Sequence, residues 1–369
     1  MDLGVNLIGY ARAEFGLGEA CRLAAKALES AKIPFNIINF PHCPARQNDL
    51  TWLHKEVNEP KYKTNLFFIN ADQLYYYYIK DILKRRWFKY HFNIAYWHWE
   101  LPEFPKYWRR SFNLVNEIWT PSKYTSNSIS TKTTKPVTTL PHGISVNLNT
   151  NFNRSYFGLP RDRFLFFTMY DIYSTSERKN PAAVIKAFKQ AFKRNDHKVG
   201  LVLKINNAAN LPNEIEKWKQ DIAEYENIYV IDQVLNREEV NGLLNSIDSY
   251  VSLHRAEGFG LPLAEAMYLG KPVIATNWSG NIDFMNETNS CLVDYKLIKV
   301  GQDIGPYKAN QNWADPDIYQ ASQHMKKLAG DQIFVKQIGS LGKQTIKSEF
   351  SPQTIGERYR LRLNQLGLL

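Results

Sequence analysis

Residues 249–270 read SYVSLHRAEGFGLPLAEAMYLG. The first five, SYVSL, read as a short buried parallel strand. A glycine-bearing loop follows, and a helical pattern begins near Leu261 with proline in its first turn. Glu257 falls in the loop and Glu265 on the first turns of the helix, seven residues apart. Both carboxylates can therefore face the carboxyl edge of the sheet, where open α/β sheets bind ligands. There they can grip hydroxyl groups by charge-assisted hydrogen bonds. The backbone N–H groups of Phe259, Gly260 and Leu261 open the helix and suit phosphate or sugar oxygens. The plainer reading is that the two acids are helix-start carboxylates favoured by the helix dipole.

Outward from this stretch, apolar strands alternate with longer helical patterns, which predicts parallel sheets covered by helices. Strands are expected near Gly4–Ile8, Phe35–Phe40, Asn65–Asn70, Asn93–Trp97, Glu117–Thr120 and Val137–Leu140. A second set is expected near Phe164–Tyr170, Val199–Ile205, Ile228–Ile231, Ser249–Leu253, Pro272–Ala275 and Cys291–Val293. Six strands in each half suit two doubly wound units, and 369 residues are ample for two cores. The boundary is expected in the Asn-rich, aperiodic stretch 147–162. In the first half, Ala20, Ala24, Ala27, Leu28 and Ala31 recur at helical spacing. Gly9, Gly16 and Gly18 precede or open that helix, where a tight turn and a helix N-terminus could receive an anion. Such a turn can equally serve strand-to-helix geometry alone.

EGFGLPLAEAM resembles the E-x7-E signature of family four (group 1) of the GT-B glycosyltransferases, and GKPVIATNWSGNIDFM is similar to the strand and glycine turn that follow it. IWTPSKYTSNSI, PHGI, DIYSTSERKNP and NWADPDIYQ resemble further family segments; nothing in 41–64 or 295–312 does. The resemblance implies two Rossmann-like domains facing each other across a cleft. The acceptor domain would span 1–148, with the helix of 351–369 crossing back to it, and the nucleotide-sugar donor domain would span 160–350. It implies retaining transfer from a UDP- or GDP-sugar to a glycan or lipid-linked acceptor, as in bacterial surface polysaccharide synthesis.

Residue by residue, the resemblance puts Glu257 on the donor sugar, Glu265 on the ribose and Lys179 on the diphosphate. The family's arginine five residues earlier is Ser174 here, so Arg178 or Lys204 is the candidate second cation. Gly16 and Gly18 are candidates for the donor side of the glycine loop. His98, closing the strand NIAYWHWE, resembles the family's histidine facing the reacting sugar, while His142 in PHGI fits the linker. No protein nucleophile is implied, and catalysis would be positioning and charge stabilisation. No metal or other cofactor is expected. Asp315-Pro316-Asp317 spells D-x-D, a pattern that can hold a divalent ion, but Asp at an N-cap and Pro at the first helical position account for it, and capping is the expected role.

Composition narrows the alternatives. The formal charge is +10, from 46 Lys and Arg against 36 Asp and Glu. A basic surface suits anionic substrates, nucleic acid or anionic lipid. No recognition helix or nucleic-acid motif appears, so no nucleic-acid partner is expected. Cys21, Cys43 and Cys291 are an odd, widely spaced set that argues for neither disulfides nor zinc. With no signal-like N-terminus or transmembrane run, a cytoplasmic location is expected. The segment KDILKRRWFKYHF interleaves Lys80, Lys84, Arg85, Arg86 and Lys89 with aromatics, which suits an anionic membrane face. A solvated helix with inward aromatics is the competing reading. Another GT-B sugar-nucleotide enzyme, an epimerase or a phosphorylase, is the nearest alternative activity.

Overall fold

A computed structural model describes residues 2–208 and 212–369. The chain divides into two compact units, Met1–Ser145 with Lys347–Leu369, and Val146–Ile346.

The first unit holds six parallel strands: β1 (Asp2–Gly9), β2 (Phe35–Asn39), β3 (Tyr62–Phe68), β4 (Phe92–Tyr96), β5 (Glu117–Thr120) and β6 (Val137–Thr139). Their order is β2-β1-β3-β4-β5-β6, which reverses direction between β1 and β3. That crevice is where such a sheet receives a ligand. Buried asparagines stand in register on four neighbouring strands: Asn36, Asn6, Asn65 and Asn93. Asn6 Nδ2 donates to Asn65 Oδ1 at 2.9 Å and Asn65 Nδ2 to Asn93 Oδ1 at 3.0 Å. A slip of one residue would turn these amides to the opposite face and strand them.

The helix Gly16–Ser30 covers this sheet, with Ala20, Ala24, Ala27, Leu28 and Ala31 all buried as the periodicity predicts. The helix Pro352–Gln365 lies against it through Ile355, Tyr359 and Leu363. Gly356 permits this approach, since a Cβ there would sit 2.2 Å from Ala27 O. Arg362 completes the dock with two 2.8 Å hydrogen bonds to the fully buried Glu117 carboxylate.

The second unit holds β7 (Phe164–Asp171), β8 (Val199–Asn206), β9 (Ile228–Ile231), β10 (Ser249–Ser252), β11 (Val273–Thr276) and β12 (Cys291–Val293). Their order is β12-β11-β10-β7-β8-β9, so the switch point lies between β7 and β10. All twelve expected strands are present, with ends shifted by a few residues.

Two expectations are corrected, and one stretch without an expectation is filled. The break between units falls at Ser145–Val146, ahead of 147–162. That stretch is tied into the second unit: Asn241 donates to Asn147 O, and Arg154 reaches Ser246 O and Asp248. Residues 295–312, without a reading from sequence, lie largely in an antiparallel hairpin of β13 (Tyr295–Lys299) and β14 (Asn312–Pro316). Pro316 therefore ends a strand instead of starting a helix. The helix cap is Asp317, whose side chain accepts from Gln320 N, while Asp315 pairs with Arg255 at 3.4 Å.

Candidate functional site

Two loops meet across the switch point of the second sheet. After β7 the chain makes a single helical turn, Ser176–Lys179, bracketed by left-handed residues Thr175 (φ 69°) and Asn180 (φ 54°). Asn tolerates this region, but a β-branched Thr there is strained and must be held by its surroundings. The holding contacts come from the loop after β10. Asn180 Nδ2 donates to Leu253 O, Arg178 Nη1 donates to Ala256 O, and Arg255 N donates to Arg178 O.

These contacts converge on Glu257. Its carboxylate is ion-paired with Lys179 and lies 3.4 Å from Arg178 Nη1. Burial pushes the Glu257 carboxyl up, but Lys179, Arg178 and His254 together outweigh it and hold the group down at about 2. The pair is thus charged at neutral pH and stands at the carboxyl edge where β7 and β10 part.

A third loop, after β11, supports the second from below. Glu257 N donates to Ser279 Oγ at 2.8 Å and Gly280 N to Glu257 O at 2.9 Å. Residue 280 must be glycine, because a Cβ would lie 2.2 Å from Gly258 O. His254 is fully buried and bridges the same loops. It meets Ser252 Oγ at 3.0 Å, Trp278 O at 3.2 Å and Asn281 Oδ1 at 3.1 Å. Its role is to join the loops.

Gly260 takes φ 95° at the entrance to the helix Leu261–Tyr268, and Phe259 packs on Phe284 beneath it. Glu265 is on the second turn, 2% exposed, in an ion pair with Arg237. Arg237 opens the helix Arg237–Ser246 that follows β9, and Asn236 and Glu239 fix that start as a reciprocal capping box. Arg237 carried no signal in sequence, since it matches no motif and stands 28 residues from its partner.

The remaining candidates separate. Lys204 is 1% exposed and donates to Ile205 O and to Asn206 Oδ1 at 2.7 Å. Burial lowers its pKa to about 8, against the pull of Asp171 and Asp232. It lines a small recess with Thr168, Tyr170 and Trp218, whereas Arg178 stands directly beside Glu257. In the first unit, Gly18 is fixed by packing: a Cβ would sit 2.0 Å from Ala13 O. Gly16 has open space around its Cα. The turn ahead of them is clamped by Arg22, which donates to Ala11 O and Ala13 O and pairs with Glu19 and Asp49. This clamp gives the glycine turn a structural cause, and it was not legible in sequence.

His98 follows β4, its N–H bonded to Asn70 Oδ1 at 2.9 Å. Its ring stacks on His142, with the two Nε2 atoms 3.0 Å apart. His142 Nδ1 in turn meets Tyr96 Oη at 3.4 Å, and that hydroxyl donates to Leu140 O at 2.6 Å. These contacts fit one proton assignment: His142 Nδ1–H to Tyr96 and His98 Nε2–H to His142 Nε2. Burial lowers the His98 pKa to about 4 and that of His142 well below its ordinary value, with His98 adding to the latter. Both rings are therefore neutral at physiological pH. His142, expected only to serve the linker, is a direct partner of His98.

Residues 167–296 match the model of glycosyl transferases group 1. None of the curated protein sequences matches the chain. Among solved structures it is similar to HepE from Anabaena in complex with UDP-glucose, at 14% identity and a TM-score of 0.70, covering 98% of this chain and 100% of HepE. Sucrose-phosphate synthase from Thermosynechococcus elongatus gives 14% identity and a TM-score of 0.69, covering 99% of each chain. TarM from S. aureus gives 14% identity and a TM-score of 0.58, covering 82% of this chain and 54% of TarM. Identities this low speak for the fold, which is the two-domain α/β arrangement called GT-B.

Proposed function

From the premise that this chain is a GT-B protein with a group 1 glycosyltransferase domain over residues 167–296, we propose that it transfers a sugar with retention from a UDP- or GDP-sugar to a glycan or lipid-linked acceptor. The observation that carries this reading is the Lys179–Glu257–Arg178 cluster at the β7/β10 switch point, with Glu265 one helix turn deeper. Lys179 and Arg178 neutralise the donor diphosphate. Glu257 receives sugar hydroxyls and Glu265 the ribose. HepE, of similar fold, binds UDP-glucose, which supports a nucleotide-sugar donor.

In the reaction, the acceptor hydroxyl attacks the anomeric carbon on the face from which the diphosphate departs. The carbon–oxygen bond to the diphosphate breaks, and the hydroxyl proton passes to a diphosphate oxygen. Charge grows on the leaving group, where the two cations are already placed. His98, its ring stacked on His142 and neutral at physiological pH, is the first unit's candidate sugar-facing residue. Two fixed cations at the diphosphate leave no step that requires a divalent ion. The work belongs on the cytoplasmic membrane face, in surface polysaccharide synthesis.

The test is a turnover screen across UDP-, GDP- and dTDP-sugars before and after dialysis against a chelator. Activity should survive chelation. Lys179→Ala and Glu257→Gln should each lower kcat, by about 10² or more for a lost transition-state contact. Near-wild-type kcat in both variants removes the site assignment. Restoration of a chelated enzyme by Mg²⁺ or Mn²⁺ overturns metal independence.

A further inference from the structure

We infer that Arg237 is a positioning residue for the nucleotide ribose, acting through the Glu265 carboxylate. The inference rests on the reading of Glu265 as the ribose ligand and extends it to a residue that no sequence motif marks. Glu265 is almost wholly buried, at 2%, and its Oε1 is held by the guanidinium of Arg237. A carboxylate in that setting keeps its charge only while a cation faces it. Arg237 is itself held from two sides. It occupies the first position of its helix, and the capping box of Asn236 and Glu239 fixes the backbone there. Its side chain is 27% exposed, so it reaches from the rim of the carboxyl edge inward to the acid.

The consequence is geometric. One carboxylate offers about four lone-pair sites. The guanidinium engages Oε1 and so restricts how the group can turn. A vicinal diol is then met by a preset acceptor and does not have to order a mobile one, which is how preorganisation raises affinity. Lys179, Arg178 and Glu257 belong to the loops after β7 and β10, while Arg237 follows β9. The ribose contact is thereby tied to a strand that the diphosphate contacts do not use.

The experiment is isothermal titration of the full chain with UDP and GDP, and with their 2′,3′-dideoxy counterparts. In wild-type protein, removing the two hydroxyls should weaken binding of the cognate base by about tenfold or more, as charged hydrogen bonds are lost. Arg237→Met should weaken the natural nucleotide by a similar factor yet bind the dideoxy compound as wild type does. Arg237→Lys, which keeps the charge and loses the fork, should fall between. If Arg237→Met proves unstable, Arg237→Gln, which keeps a polar side chain and loses the charge, replaces it and should likewise weaken the natural nucleotide while binding the dideoxy compound as wild type does.

Equal weakening of natural and dideoxy nucleotides by Arg237→Met overturns the inference, since Arg237 would then act elsewhere on the ligand. Glu265→Gln that still discriminates the hydroxyls as wild type does overturns the ribose reading itself. The two failures are distinct because the first leaves the Glu265 cycle intact.

Discussion

Single residues at this site are understood through what surrounds them. Lys179 and Lys204 are both lysines near the ends of their segments, yet one faces a carboxylate and the other faces a carbonyl and an amide. A buried ammonium without a carboxylate partner loses hydration that two neutral acceptors only partly restore. Lys204 accordingly titrates at about 8 in the folded chain, below the ordinary lysine value of 10.5. The sign follows directly. Between about pH 8 and 10.5 the unfolded chain binds the proton and the folded one does not, so stability rises with pH across that window. At pH 7 both states are charged, and the folded state bears the desolvation cost. Lys204→Met should therefore raise stability at pH 7 by up to about 2 kcal/mol, read as a higher thermal midpoint, and flatten the rise of stability between pH 8 and 10. Thermal melts of both proteins across that range test it. A lower midpoint for the variant at pH 7 would mean that the bonds to Ile205 and Asn206 outweigh the desolvation.

At the scale of elements, the strands were legible because each is a short apolar run bounded by turn residues, and periodicity identifies such runs locally. Glu257 was legible because its loop carries an ordered motif. Arg237, Arg22 and His142 were not, because each acts through a partner brought near by the fold, and no local pattern records such pairing. The hairpin β13–β14 was missed because residues 295–299, YKLIK, have a short alternation and their partner strand lies beyond a long polar turn. The segment around the helix Arg85–Lys89 divides between packed aromatics and exposed basic residues. Trp87 is buried and Phe88 stacks on Phe67, so part of the aromatic set packs inward. Lys80, Arg85, Arg86, Lys89, Lys106, Arg109 and Arg110 are exposed, as are Tyr90 at 66% and Tyr107 at 56%. Glu59 already pairs with Lys84 and Arg86, so reversing Arg86 would set two acids together. Arg85→Glu/Lys89→Glu avoids that pair. In vesicle sedimentation at low salt, the wild-type protein should bind increasingly as anionic lipid rises, at about 1 kcal/mol per basic residue near the surface. The double variant should lose binding and keep its thermal midpoint. Wild-type protein that ignores anionic vesicles would exclude attachment through this surface.

For the molecule as a whole, the two units differ in what completes them. The sheet of the second unit and the loops of the candidate site come from one continuous run of chain, Val146–Ile346. The first unit needs the far end of the sequence. Its core includes Ile355, Tyr359 and Leu363, each fully buried, and burying side chains of this kind contributes about 1.5–3 kcal/mol apiece. Glu117 is also fully buried, and Arg362 is its charge partner. Removing one member of a buried pair typically costs about 3–5 kcal/mol. Deleting residues 351–369 removes both contributions together, a loss comparable to the whole stability of many domains. The truncated chain should therefore expose the amides of β1–β6 to rapid hydrogen exchange while β7–β12 stay protected. Nucleoside diphosphate affinity should stay close to that of the full chain, because Lys179, Arg178, Glu257, Glu265 and Arg237 all belong to the second unit. Exchange measured by mass spectrometry and titration with UDP and GDP read the two outcomes separately. Arg362→Met alone should produce a milder form of the same pattern, with Glu117→Gln/Arg362→Met partly restoring protection in the first unit. Loss of nucleotide binding together with protection in β7–β12 would show that the second unit does not hold its structure when the first is undone.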